Sequence, residues 1–243
     1  MTLRRPFLIR IIHFNKGTGN MKQINRYIDS VFCSHDDILE EVLISIKENG
    51  MRSISVSPST GKLLKLLVSM SGAKNVLEIG ALGGYSGICL ARGFNQAGNL
   101  TSLELVESYA ELAHSNLAKA GFGDQVSYLI GPALQSLNQL VSDNRQFDFF
   151  FIDADKENYE NYLNYCIRLA ENGALIVCDN VLARGSVADE GAEPGRHTEF
   201  MKKFNKTVAD HPQLESVLIP IGDGLTISKV NKDFTIHKRQ DAR

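Results

Sequence analysis

The sequence predicts a doubly wound α/β fold: one sheet of seven strands, mostly parallel, closed by an antiparallel hairpin near the carboxyl terminus. Three observations carry this prediction. Apolar runs of strand length alternate with helix-like runs through the middle of the chain, the pattern of a parallel sheet with helices on both faces. Those strand runs are continuously apolar rather than alternating, as expected where both faces are covered. The tail then changes character, with two strand-like runs flanking Gly222-Asp223-Gly224, a tight turn suited to a hairpin at a sheet edge. At 243 residues the chain suits one such domain with a core of its own.

Three amphipathic helices open the fold, at roughly Lys22–Phe32, His35–Lys47 and Ser59–Met70. The third has the clearest start, Ser57-Pro58-Ser59, followed by an apolar face of Leu63, Leu64, Leu66 and Leu67. Strands follow at Asn75–Ile79, Leu100–Leu105, Val126–Ile130, Phe147–Ile152 and Ala174–Cys178, with helices between them at about Tyr85–Gly93, Glu107–Ala120, Ala133–Val141 and Asn158–Ala170. A helix near His197–Ala209 precedes the hairpin strands, Glu215–Ile219 and Leu225–Lys229. No internal repeat, linker or low-complexity tract interrupts residues 21–243, which are read as a single domain.

Residues 1–20, "MTLRRPFLIRIIHFNKGTGN", are read as an upstream extension, with Met21 as the natural start. The segment is basic and partly apolar, but Arg10 interrupts its apolar stretch and no small-residue cleavage site follows, which argues against a signal peptide. Lys16-Gly17-Thr18-Gly19-Asn20 can be encoded by a purine-rich run, as expected just before a bacterial start codon.

An apolar content of 43% and a charged content of 22% are ordinary for a globular protein. A formal charge of -2 provides no electrostatic footprint for nucleic acid or an anionic membrane. Cys33, Cys89, Cys166 and Cys178 are far apart and show no CxxC spacing, so free thiols in a reducing cytoplasm are expected rather than disulfides or a zinc site. No apolar run reaches the roughly 18–20 residues needed to span a bilayer.

In open α/β sheets, ligands bind beyond the carboxyl ends of the strands. The first strand delivers Glu78 and the loop Gly80-Ala81-Leu82-Gly83-Gly84, and the second ends at Glu104, where a carboxylate can accept hydrogen bonds from a ribose diol. The glycines read G-x-x-G-G, which fits neither the dinucleotide fingerprint nor the P-loop. A carboxylate beside them would repel a phosphate. A ligand with a ribose, an adenine and a cationic amino-acid end fits better, and S-adenosylmethionine has all three. Ile130-Gly131-Pro132-Ala133 ends the third strand and opens a helix whose free N–H groups could meet an adenine edge.

The fourth strand delivers Asp153-Ala154-Asp155-Lys156, and the fifth delivers Asp179-Asn180 at the equivalent place. Asp153, Asp179 and Asn180 would offer hard oxygen ligands from strand ends in the same region, with no histidine beside them in the sequence. That donor set suits Mg²⁺ or a similar cation. Lys156 is close enough to share the site. Near a cation and in a partly dry pocket its neutral form is favoured, which suits a general base.

These segments resemble the cation-dependent, catechol-type O-methyltransferases, the family of the plant caffeoyl-CoA O-methyltransferases and their bacterial relatives. The similarity covers about residues 21–230 and rests on "SVSPSTGKLLKLL", "VLEIGALGGYSGICLA", "LTSLELVESYAELA", "IGPALQSL", "FDFFFIDADKENY", "ALIVCDNVL" and "GDGLTIS". It implies the Rossmann-like sheet of the class I methyltransferases. It implies contacts to S-adenosylmethionine from Val56, Glu78, Gly80, Ser86, Glu104, Ala133 and Asp153, a divalent metal (Mg²⁺, or Mn²⁺ or Ca²⁺) on Asp153, Asp179 and Asn180, and Lys156 as the base. It also implies a small phenolic substrate with vicinal hydroxyls and a homodimer with the amino-terminal helices at its interface.

The segment Ala183–His197 does not closely match the loop that helps plant members choose an acyl-CoA ester, so the resemblance does not name the acceptor. Arg196 and His197 are read as a solvated helix start, with contact to an acidic substrate as the alternative. Three rival functions make different demands on the sequence. A tRNA hydroxyuridine O-methyltransferase is disfavoured by the net charge and the lack of basic-aromatic clusters. A serine hydrolase is disfavoured because Gly84-Tyr85-Ser86-Gly87-Ile88 lacks the final glycine of G-x-S-x-G. A non-catalytic S-adenosylmethionine-binding protein would bind the cofactor without regard to metal.

Overall fold

The computed structural model describes residues 18–94, 97–189, 191 and 195–233. Residues 1–17, most of the segment read as an upstream extension, lie outside this set. Three helices come first: α1 (Thr18–Phe32), α2 (Asp37–Glu48) and α3 (Pro58–Ser71). Their ends follow local chemistry. Asp36 caps α2 by accepting a hydrogen bond from Leu39 N at 3.1 Å. Ser57 caps α3 by accepting from Thr60 N at 3.2 Å, Pro58 fills the first turn, and Gly72 ends the helix in the left-handed region at φ 68°.

Strands and helices then alternate: β1 (Asn75–Ile79), α4 (Tyr85–Ala91), β2 (Asn99–Glu104), α5 (Glu107–Lys119), β3 (Val126–Ile130), α6 (Ala133–Ser142), β4 (Phe147–Ile152), α7 (Tyr159–Leu169) and β5 (Ala170–Asp179). The chain closes with α8 (Thr198–Asp210), β6 (Leu214–Ile219) and β7 (Leu225–Val230). All seven strands form one sheet in the order β3-β2-β1-β4-β5-β7-β6, parallel from β3 to β5. The hairpin closes one edge, as expected. Its second strand, β7, lies between β5 and β6 and runs antiparallel to both.

The continuously apolar strands are covered on both faces. Along β4, Phe149 and Phe151 pack into the layer of α2, α3, α4 and α5, whereas Phe150 and Ile152 pack into the layer of α6, α7 and α8. All four side chains are fully buried, and each contributes about 1.5–3 kcal/mol through removal of apolar surface from water. Among the described residues, no helix is long and apolar enough to cross a membrane.

Two differences from the sequence expectation have a clear cause. β5 begins at Ala170 rather than Ala174, because the exposed polar residues Glu171, Asn172 and Gly173 break its apolar run while Ala170 still pairs with Phe147. α7 begins at Tyr159, because Lys156–Asn158 forms a separate 3₁₀ turn. The remaining boundaries shift by a few residues at most, as with α1, which starts at Thr18.

The topology creates a crevice at the carboxyl ends of β1 and β4, adjacent strands whose connections leave in opposite directions. The helical layer braces the loop that enters this crevice. Ile46 of α2 packs so closely on Gly83 that a Cβ at position 83 would lie 2.3 Å from Ile46 Cγ1. The buried Asn116 of α5 donates to Gly83 O at 2.9 Å and to Ser45 Oγ at 2.9 Å. Asn116→Ala orphans that buried carbonyl. Urea unfolding is expected to show a loss of about 1–3 kcal/mol; an unchanged midpoint would contradict the bracing.

Candidate active site

The site begins with Glu78, which is 1% exposed. Its Oε1 accepts from Ser86 Oγ at 2.5 Å and its Oε2 accepts from Ser102 Oγ at 2.7 Å. Burial pushes its carboxyl up to about 7, against the opposing pull of the two hydroxyl bonds. The chain then turns sharply at Gly80, where φ is 102°. A Cβ there would lie 2.2 Å from the backbone oxygen of Asp153, so glycine is required twice over, by conformation and by space. Backbone bonds lock the junction: Gly80 N donates to Leu103 O at 2.9 Å, and Asp153 N donates to Ile79 O at 3.0 Å.

Glu104 ends β2 and ties down both sides of the opening. Its Oε2 accepts from Leu82 N at 2.9 Å and its Oε1 from Val106 N at 3.0 Å. Each oxygen keeps a lone pair for a further donor. Gly131, at φ 125°, follows β3, and its N–H donates to Glu104 O at 2.9 Å. Pro132 then leads into Ala133, the first residue of α6.

At the end of β4, Lys156 Nζ lies 3.0 Å from Asp153 Oδ1, with side chains only 12% and 22% exposed. Lys156 also donates to the Tyr159 hydroxyl and sits 4.3 Å from the centre of that ring. The fully buried Tyr159 in turn donates to Asp179 O at 2.9 Å, so β4, β5 and α7 are linked through one phenol. Asp179 is 2% exposed and its Oδ1 accepts from Asn180 N at 2.6 Å. Burial, reinforced by the negative charge of Asp153, holds its carboxyl well above the usual carboxylate range.

A cavity of about 960 Å³ spans these strand ends. Of the residues expected at the site, Val56, Gly80, Ser86, Glu104, Ala133, Asp153, Lys156 and Asn180 line it. Glu78 and Asp179 do not: they lie behind the wall, next to Ser86 and Asn180 respectively. A contact from Glu78 to a cofactor would therefore run through Ser86. Arg196 and His197 line the cavity as well, 3.6 and 3.9 Å from Glu157 Oε1, while His197 immediately precedes α8.

The fit to a divalent cation can be judged from the donors. Asp153, Asp179 and the Asn180 amide carry only oxygen donors on their chelating side, and two mostly buried carboxylates are costly together unless positive charge offsets them. Lys156 offsets part of that charge. Among the described residues, no group of three or more acid, histidine or cysteine side chains converges into a metal cage. A cation would thus be held by Asp153 and Asn180 from the cavity wall and by the second carboxylate oxygen of Asp179 from behind it, with positions left for water or substrate, which suits Mg²⁺. Sequence reasoning missed Tyr159, which looks like any helix residue, and Asp223, which it treated only as part of a turn.

The chain matches a family model described as O-methyltransferase over residues 29–231. It is 38% identical over 216 residues to a catechol O-methyltransferase of Niastella koreensis, covering 86% of this chain and 97% of that protein. It is 33% identical over 207 residues to caffeoyl-CoA O-methyltransferase 1 of Eucalyptus globulus, covering 82% and 84% respectively. The fold is similar to that of an O-methyltransferase from Bacillus cereus in complex with SAH, with a TM-score of 0.79, 35% identity, and coverage of 88% of this chain and 100% of that one.

The buried Glu78 makes a pH prediction. Its carboxyl rises from about 4.5 in the unfolded chain to about 7 in the fold, so ionisation opposes folding: the cost is absent below about 4.5, grows through that interval and is constant above about 7. Glu78→Gln removes the ionisable group while keeping one acceptor. Thermal unfolding of the ligand-free protein should show the stability of Glu78→Gln relative to wild type rising between these two pH values. A flat difference would contradict the assignment.

Proposed function

This chain belongs to the O-methyltransferase family, and from that premise we propose that it transfers a methyl group from S-adenosylmethionine to one hydroxyl of a catechol-like small molecule, assisted by a divalent cation. The observation that carries this proposal is the single cavity shared by the glycine loop with Glu104 and by Asp153, Lys156 and Asn180. Its volume of about 960 Å³ can hold a nucleoside-sized donor and a small phenol together. The SAH held by the Bacillus cereus relative is the demethylated form of the proposed donor and supports that choice.

Val56, Gly80, Ser86, Glu104 and Ala133 would surround the donor, with Glu104 accepting from the ribose diol and Glu78 orienting Ser86. Asp153, Asp179 and Asn180 would hold the cation. When bound, it would supply Lewis acidity, a template for two vicinal oxygens, and competition for the carboxylate that now pairs with Lys156.

Lys156 would take the proton of the reacting hydroxyl, and the resulting oxygen would attack the methyl group of the donor sulfonium in line, forming the O–C bond as the S–C bond breaks and SAH leaves. In the present arrangement Lys156 is an ion-paired ammonium, so it acts as a base only after losing a proton and opening that pair. Once protonated again, it would have the Tyr159 ring, 4.3 Å away in this arrangement, beside it, and Asp153 where the cation leaves an oxygen free. Holding both reactants in one cavity supplies much of the remaining acceleration.

Tyr27, Val31, Phe32, Ile44, Leu66 and Met70 are exposed along α1, α2 and α3, which supports a homodimer built through these helices. Four free cysteines, three of them buried, support a reducing compartment such as the cytoplasm.

Incubation with S-adenosylmethionine and a catechol panel tests the mechanism. Turnover is expected with Mg²⁺ and should be lost in EDTA; equal rates in both arms would reject the role of the cation. Lys156→Ala should lower kcat by about 10²–10⁴-fold while calorimetry finds donor affinity unchanged. If Asp179→Ala keeps both its rate and its metal dependence, the ligand assignment is wrong.

A further inference from the structure

The turn after β5 that carries Asn180 is an unfavourable one for its sequence. Asn180, Ala183 and Arg184 have φ of 60°, 46° and 60°, the left-handed region, which asparagine tolerates but which is costly for Ala183 and Arg184. Such a turn persists only if its surroundings determine it.

Part of that determination comes from the β6–β7 hairpin. Because β7 runs antiparallel to β5, with Leu225 opposite Asp179, its leading turn returns to the carboxyl end of β5. There Val181 N donates to Gly224 O at 3.1 Å and Leu182 N donates to Asp223 O at 2.9 Å. Arg184 N donates to the side chain of Asp223, at Oδ1, at 2.7 Å. Gly224 must be a glycine for this fit, since a Cβ would lie 2.4 Å from Leu182 Cγ. From the other side, Asn205 donates to Val181 O at 2.9 Å.

We infer that Asp223 is a positioning residue for the acceptor half of the site: its carboxylate clamps the strained Asn180–Gly185 turn and so sets where the Asn180 amide oxygen is presented. The clamp is the bond that Oδ1 accepts from the Arg184 amide, and Asp223 is given no place among the ligands of the cation. The inference rests on the cation-holding role proposed above for Asn180. It also gives the inserted strand β7 a use, since a strand in that place is what brings the turn Gly222-Asp223-Gly224 to the site.

The test compares wild type, Asp223→Ala and Asp223→Asn, the last keeping an oxygen acceptor for Arg184 N. The measurements are Mn²⁺ affinity by paramagnetic titration, hydrogen exchange over residues 180–185, and SAH affinity by calorimetry. Asp223→Ala is expected to weaken Mn²⁺ binding about 10–100-fold and to speed exchange across the turn. SAH binding, which uses β1 and β2, should stay within about twofold of wild type, and Asp223→Asn should keep both wild-type exchange and Mn²⁺ affinity to within about threefold. Unchanged Mn²⁺ affinity and exchange in Asp223→Ala would overturn the clamp, as would Asp223→Asn being equally damaged. If Asp223→Ala does not fold, the Asp223→Asn result decides alone. A wild-type protein that takes up no Mn²⁺ would sink the cation role only, and the exchange comparison would still decide the clamp.

Discussion

The backbone oxygen of Asp153 occupies the space that any side chain at position 80 would need. This close approach of β1 and β4, sealed by the hydrogen bond from Asp153 N to Ile79 O, brings the glycine loop against the strand end that carries Asp153 and Lys156. In the function proposed above, this junction is where a donor at the loop would meet an acceptor at the acids. The sheet order serves the same end, because β1 and β4 are neighbours only where the winding reverses.

Around that junction, the fold places carboxylates behind the cavity wall as well as in it. Glu78 holds Ser86 and Ser102, and Asp179 holds the amide of Asn180. Both are almost completely buried, and both are pushed towards their neutral forms by burial. They differ in what satisfies them. Glu78 is closed off by two hydroxyl donors and acts as an internal brace. Asp179 lies beside Asp153, an arrangement with excess negative charge that a divalent cation would relieve.

Much of this was legible in the sequence, for identifiable reasons. The strands were readable because burial on both faces makes them continuously apolar, as in Phe147–Ile152, and α3 because Ser57, Pro58 and Gly72 punctuate it. The site residues were readable because this topology gathers strand ends, so Glu104, Asp153 and Asn180 could be assigned to one place before their distances were known. What was not legible depends on contacts between segments far apart in the chain. Nothing in "ENYENY" marks Tyr159 as the phenol beneath Lys156, and nothing in "GDG" shows that Asp223 reaches Arg184. The start of β5 was hidden by the exposed Glu171-Asn172-Gly173. That Glu78 is a brace behind the wall rather than part of it follows from Ser102 lying opposite it on β2 and Ser86 above it on α4, which only the fold reveals.

The proposed function requires one cavity to join a methyl-donor site to a cation held by Asp153, Asp179 and Asn180. Diffraction at the manganese absorption edge, from crystals grown with SAH and Mn²⁺, tests it most directly. A single anomalous peak is expected within bonding distance of oxygens from all three residues, with SAH against the loop at Gly80. Clear density for SAH with no anomalous peak between the ends of β4 and β5 would contradict it.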